Sequence, residues 1–229
     1  MNGTFYGIGV GPGDPELLTL KAVKSIAGCH IIATPDSGAE RRTALKIAGE
    51  YVGDKPVMSL EMPMTNDRAV LEENRSRAAD LICGKLAAGQ NVGFLTLGDP
   101  MLYSTFGYLQ KLVKNRGFSV RVIPGITSFC AAAAALGEPL CEGGEALHVI
   151  PASYGELEAA LSLGGTKVLM KSGSKLSDVI GLLKDKNLLS KALLAERVGM
   201  EGERLVAGLT SETDAGYFSV IIVKDGEKD

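Results

Sequence analysis

Short apolar runs alternate along this chain with stretches in which apolar residues recur every three or four positions. A short apolar run between turn residues predicts a strand, and a period of about 3.6 residues predicts a helix buried along one face. Strands are therefore expected at 4–10, 29–34, 57–60 and 91–97, and helices at 15–27, 43–52, 67–88 and 104–115. Asp14 and Pro15 suit the cap and first position of the first helix, and Asn66 suits the cap of the third. Regular alternation of this kind predicts a mostly parallel sheet with helices on its faces.

The pattern changes after Gly117. A strand at 120–123 and an alanine-rich helix at 127–136 are followed by an irregular loop at 137–146. Strands at 147–151 and 167–171 alternate with helices at 156–163 and 176–184, and three further strands are expected at 192–198, 204–208 and 218–223. The reading is an α/β protein of two domains, 1–117 with a parallel sheet and 118–229 with a mixed sheet.

Composition narrows the function classes. The 24 basic and 27 acidic residues leave a net charge of −3, which disfavours a nucleic-acid partner held by bulk charge. Trp is absent and aromatic residues make up only 5%, too few for base-stacking platforms. No apolar run is long enough to span a bilayer and no secretion signal opens the chain, so no membrane association is expected. The 4 cysteines form no CxxC pair, which points to a reducing, cytoplasmic setting. With 2 histidines, His30 and His148, both inside expected strands, no metal site is expected.

Glycine-rich turns carry the candidate chemistry. The first, Gly7-Ile8-Gly9-Val10-Gly11-Pro12-Gly13-Asp14-Pro15, fails the dinucleotide fingerprint GxGxxG from either starting glycine, because Pro12 or Asp14 occupies the last position. A second, Leu97-Gly98-Asp99-Pro100-Met101-Leu102-Tyr103-Ser104-Thr105, follows the fourth strand. The third, Pro124-Gly125-Ile126-Thr127-Ser128-Phe129, opens the alanine-rich helix. Any one of them can serve as a tight structural turn, but glycine also lets a ligand approach the backbone. In open α/β sheets ligands collect at such strand ends.

In order and spacing these motifs, together with Leu18-Thr19, resemble the tetrapyrrole methylase family over nearly the whole chain. The run from Gly98 to Phe106, with Pro139-Leu140 and Glu145-Ala146-Leu147, is most similar to the precorrin-2 and cobalt-factor II C20-methyltransferases of cobalamin synthesis, although Gly143-Gly144-Glu145 stands where that subgroup has Gly-Asp-Glu. The resemblance implies a homodimer that uses S-adenosylmethionine, bound in a cleft between two α/β domains, and a small-molecule tetrapyrrole substrate. It implies cofactor contacts from Pro12, Leu97, Gly98, Asp99, Leu102, Thr127, Ser128, Met170 and Val198. The Asp99 carboxylate is left with two roles, meeting the methionine part or bracing its own loop. Thr127 and Ser128, at a helix start, suit a carboxylate.

The implied reaction is displacement at a sulfonium methyl by an electron-rich carbon, which depends mainly on alignment. Accordingly no nucleophile–base pair stands out, and no catalytic residue is assigned. An acidic protein that takes a polycarboxylate needs local positive charge. Arg41 and Arg42, followed by Lys46, are the densest basic pair beside a strand end, with Arg68 and Arg75 secondary. The alternatives are a sibling enzyme methylating another tetrapyrrole carbon and a nucleotide-binding regulatory module without catalysis.

Overall fold

In a computed structural model the chain divides into two compact units, Met1–Thr127 and Ser128–Asp229. The described residues are 1–36, 39–63, 65–153 and 157–224, without the side chains of 39–42 and 174.

The first unit runs β1 (Thr4–Gly9), α1 (Leu20–Ala27), β2 (Ile31–Pro35), α2 (Ala39–Val52), β3 (Val57–Leu60), α3 (Arg68–Ala87), β4 (Val92–Thr96), α4 (Phe106–Asn115) and β5 (Ser119–Ile123). Its sheet has the order β3-β2-β4-β1-β5, with every neighbouring pair parallel. The expected domain division after Gly117 falls too early for this sheet. β5 pairs with β1 and completes the first sheet, a long-range pairing that no local pattern encodes.

Two local expectations also change. The stretch read as one helix at 15–27 is a short 3-10 turn, Pro15–Leu17, followed by α1. Thr19 interrupts it with extended backbone, and its hydroxyl accepts from the Ala22 amide at 3.1 Å, which caps a second start. For α3 the cap is Asp67 rather than Asn66, because its carboxylate accepts from both Ala69 and Val70 amides.

Both faces of the first sheet are covered. Ile8, Ile32 and Leu95 pack with Ala22 and Ile26 of α1 and Ile47 and Ala48 of α2. On the other face Phe5, Phe94 and Phe106 join Ile82 and Leu86 of α3 and Leu109 of α4. The three phenylalanine rings lie 5.4–6.5 Å apart between centroids. Gly7 makes room for them, since a β-carbon there would run into the Phe106 ring. Cys29 is a buried filler whose thiol is pushed up to about 11 by burial, against the opposing pull of Lys55. His30 lies just before β2, exposed, where its Nδ1 accepts from the Asn91 amide at 2.9 Å.

The second unit runs α5 (Ser128–Leu136), β6 (Leu147–Pro151), α6 (Leu157–Leu161), β7 (Thr166–Met170), α7 (Leu176–Asp185), β8 (Ala192–Glu196), β9 (Arg204–Ala207) and β10 (Ser219–Val223). Its sheet has the order β6-β7-β10-β8-β9. β6 and β7 are parallel, and the other pairs are antiparallel, so the sheet is mixed as expected. α5 covers one face and α6 with α7 the other. His148 lies in β6, with Nε2 2.9 Å from the Gly164 carbonyl oxygen.

The loop after α5 is anchored through Glu145. One carboxylate oxygen accepts from the Thr166 hydroxyl at 2.9 Å and the other from the Lys224 ammonium at 3.2 Å. Lys224 also donates to the Pro139 and Leu140 carbonyls. The Thr166 hydroxyl is the first cause, followed by Lys224 and the Glu142 amide, that holds the Glu145 carboxyl below the usual carboxylate range.

Two outcomes follow from this packing. Gly7→Ala should destabilise the protein by about 1–3 kcal/mol through overpacking. In a Phe106→Leu background the same change should cost less, because the ring it strikes is gone; urea denaturation of the four proteins measures that coupling. Glu145, with a lowered folded-state pKa, contributes stability above the unfolded carboxyl value of about 4.3, and that stability is lost as pH falls through the folded-state value. Glu145→Gln should therefore flatten the fall of the urea midpoint below about pH 4.3.

Candidate active site

Because all five strands of the first sheet are parallel, their carboxyl ends share one edge. α1 and α2, which follow β1 and β2, pack on one face, whereas α4, which follows β4, packs on the other. β4 lies between β2 and β1 in the sheet. The chain therefore leaves β4 in the opposite sense from both neighbours, and in open α/β sheets such a reversal is where a crevice forms beyond the strand ends. The Gly98 loop leaves β4 at that point.

Three glycines bring the loops into backbone contact. A β-carbon on Gly9 would lie 2.5 Å from the Gly125 nitrogen and 2.6 Å from the Gly98 carbonyl oxygen, and one on Gly125 would strike Gly98 and Gly9 in turn. Gly11 and Gly98 form a bridge: the Gly98 amide donates to the Gly11 carbonyl at 2.7 Å, and the Gly11 amide donates back at 3.3 Å. Asp99 closes the cluster. Its Oδ2 accepts from the Gly125 amide at 3.0 Å, and its Oδ1 from the Met101 amide at 2.8 Å. The carboxylate thus braces its own loop.

The other expected residues divide between the units. Pro12 is buried in the turn after β1, and Leu97 and Leu102 are half-buried on either side of Asp99. Gly98 has φ +70°, and a β-carbon there would meet nothing nearer than the Ile126 carbonyl oxygen at 3.9 Å. Thr127, ending the first unit, has a buried hydroxyl oxygen with no hydrogen-bond partner. Ser128 opens α5 in the second unit. There β6, β7 and β8 point the same way, so Met170, at the end of β7, and Val198, just beyond β8, lie along one sheet edge. Both pack against the cluster under α5. Arg41 and Arg42 belong to the first turns of α2, which follows the carboxyl end of β2; their side chains lie outside the described residues.

A model of the tetrapyrrole (corrin/porphyrin) methylases matches residues 4–214. The chain belongs to the tetrapyrrole methylase family. The cobalamin biosynthesis protein CobIJ of Mycobacterium tuberculosis is 33% identical over 99% of the chain, which spans about half (47%) of that relative's length. The probable cobalt-precorrin-2 C(20)-methyltransferase of Methanocaldococcus jannaschii is 35% identical over 96% of the chain and 95% of its own length. The cobalt-precorrin-2 C(20)-methyltransferase of Salmonella typhimurium is 33% identical over 97% of each. Among solved structures, the uroporphyrin-III C-methyl transferase of Thermus thermophilus complexed with S-adenyl homocysteine superposes with a TM-score of 0.73 at 22% identity, covering 97% of this chain and 98% of that one. That similarity establishes a shared tetrapyrrole methylase fold.

Sequence reasoning passed over two features of this chain. Gly9 and Gly125 serve the loop packing itself, a need visible only once three strand ends meet. Ser172, fully buried two residues beyond Met170, has a hydroxyl with no hydrogen-bond partner. Its one sequence signal is a small polar residue just past a strand end.

Asp99→Ala should cost about 1–3 kcal/mol, because it strands two backbone donors. Asp99→Asn, which keeps one acceptor, should cost less. Gly98→Ala should cost about 1–2 kcal/mol from the left-handed backbone alone. Thermal or urea unfolding of the three variants gives the ranking, and an unchanged Asp99→Ala protein would remove the brace from the account.

Proposed function

We propose that this chain transfers the methyl group of S-adenosylmethionine to C20 of precorrin-2, or of its cobalt-loaded counterpart, in cobalamin synthesis. The observation that carries the reading is the match along nearly the full length of relatives named for that reaction, at 35%, 32% and 33% identity. In the proposal the protein works as a cytoplasmic homodimer and binds one cofactor per chain. Among the described residues no helix is long and apolar enough to cross a membrane.

The residues fit such a cofactor. Buried hydroxyls without partners at Thr127 and Ser172 suit a ligand rich in polar groups. The absent side chain of Gly98 leaves open space at a loop braced from both sides. In this reading Leu97, Gly98, Asp99, Leu102, Thr127 and Ser128 hold the methionine part with Pro12 beside them, and Met170 and Val198 lie against the adenine.

When bound, S-adenosylmethionine supplies a sulfonium methyl to a carbon nucleophile, with sulfur keeping the electron pair of the broken bond. The chain's task is orientation. Holding a carbon nucleophile in line with a methyl group is worth as much as about 7–11 kcal/mol when reorganisation is avoided. The Asp99 brace and the Gly9–Gly98–Gly125 contact supply that rigidity at the crevice. Arg41 and Arg42 are proposed to attract the substrate's carboxylates.

Calorimetry with S-adenosylhomocysteine should give one site per chain. Anaerobic incubation with isotopically labelled cofactor should add one methyl to precorrin-2 or to cobalt-precorrin-2, at C20 by carbon NMR. Methylation at another carbon would make the protein a sibling enzyme. Cofactor binding without transfer to either acceptor would make it a regulatory module.

A further inference from the structure

Among the described residues of the first unit, Tyr103 is the one non-glycine residue with left-handed backbone, at φ +49°. That conformation costs an L-residue about 1–2 kcal/mol, and for a bulky side chain it is a true outlier. At Asn187, φ +57°, the same feature has a local reason: it follows the end of α7, where such a residue ordinarily terminates a helix. Tyr103 terminates nothing. It sits inside the loop between β4 and α4, and its side chain is 43% exposed, so core burial does not offset the strain.

The loop is pinned on both sides of it. Upstream, Met101 and Leu102 donate amides to the Asp99 side chain and carbonyl at 2.8 and 3.2 Å. Downstream, the Ser104 hydroxyl accepts from the Phe106 amide at 3.1 Å and lies 3.4 Å from the Thr96 hydroxyl. Strain of this kind persists when the surroundings over-determine it, and it collects at ligand sites. The loop leaves β4 at the topological reversal. In the same loop, Met101 is 62% exposed. The loop after β4 thus carries two large, exposed side chains, Met101 and Tyr103, at the carboxyl edge of the sheet.

We propose that Tyr103 is an acceptor-binding residue whose ring is held in strained backbone so that its face lies against the partly reduced tetrapyrrole and fixes which carbon faces the methyl donor. The inference rests on the methyltransferase reading above. The ligand class follows from that reading: a broad conjugated macrocycle suits an accessible aromatic face.

Glycine adopts this backbone freely, so Tyr103→Gly removes ring and strain together. Tyr103→Asn, which also tolerates φ above zero, serves as a second variant, and Tyr103→Phe keeps the ring. A purely structural tyrosine predicts an unchanged KM for precorrin-2 in all three. The proposal predicts that Tyr103→Gly and Tyr103→Asn match or exceed wild-type thermal stability and bind S-adenosylhomocysteine within about twofold. Their KM for precorrin-2 should rise at least about tenfold, equivalent to 1.4 kcal/mol. Tyr103→Phe should stay within about threefold of wild type, since most of an aromatic contact is the ring face. An unchanged KM in the glycine variant overturns the proposal. So does lost affinity for S-adenosylhomocysteine, which would make Tyr103 a packing residue of the loop. So does a changed oligomeric mass by light scattering, which would make it a contact between copies. If wild type fails to methylate precorrin-2, the methyltransferase reading fails by itself. The Tyr103 inference is then read from anaerobic binding of precorrin-2, followed by visible absorption; equal affinity of wild type and Tyr103→Gly overturns it.

Discussion

The backbone contact among Gly9, Gly98 and Gly125 is the constraint on which the candidate site of the first unit depends. Three strand-end loops approach so closely that even one methyl group on Gly9 would overlap the other two backbones. Glycine carries an entropic cost in such places, and the offset here is a single carboxylate. Asp99 accepts from amides of two different segments, one 2 residues away and one 26 residues away, and so converts a contact that sterics merely permit into one that hydrogen bonding fixes. The bridge between Gly11 and Gly98 extends the same arrangement to the first turn. Loop geometry at these strand ends is thus set by close backbone contact and by one short side chain that fixes it.

Much of this was legible in the sequence because the signals were local. Alternating apolar runs and helical periods located the elements of both sheets, and all three motif turns fall at strand ends or helix starts. What escaped was non-local or competitive. β5 belongs to the first sheet because it pairs with β1, more than a hundred residues earlier in the chain. The break at Thr19 reflects a hydroxyl that competes with its own backbone, an effect that apolar periodicity does not register. Asp99 was readable as either brace or ligand group, and the bracing bond depends on the position of the Gly125 amide, 26 residues away, which no local pattern encodes.

In the second unit the strand ends that carry Met170 and Val198 have their own strained residues. Lys171, just beyond β7, has φ +57°, and Arg197, just beyond β8, has φ +54°. Near the second, Glu196 accepts from Arg204 of β9 and from the Gly216 amide, while Arg204 also pairs with Asp214. These bonds fasten β8, β9 and the loop before β10 around the turn that presents Val198. Sequence reasoning reached Met170 and Val198 only through family resemblance, because a half-buried aliphatic residue at a strand end has no distinctive spacing.

Among the described residues, the groups with displaced pKa values owe the displacement to burial and to hydrogen bonds within the fold. Cys29 and Cys83 are raised chiefly by burial, Glu145 is lowered first by the Thr166 hydroxyl, and Arg204 and Asp214 shift through their mutual hydrogen bond. Cys29 precedes β2 and Glu145 precedes β6, at the ends of their sheets opposite to the candidate residues. Methyl transfer to an electron-rich carbon requires no side chain to be tuned as a nucleophile, so selection for rate acts on distance and angle. A protein under that demand gains more from rigid loops than from a titrating pair, since a misplacement of about 1 Å can cost about a hundredfold in rate. Under the proposed reaction, the expensive features of this chain fit that demand. Close-packed glycines, a two-sided carboxylate brace and a bulky residue in left-handed backbone all spend stability to fix position, and all three lie in the loops at the carboxyl ends of β1, β4 and β5.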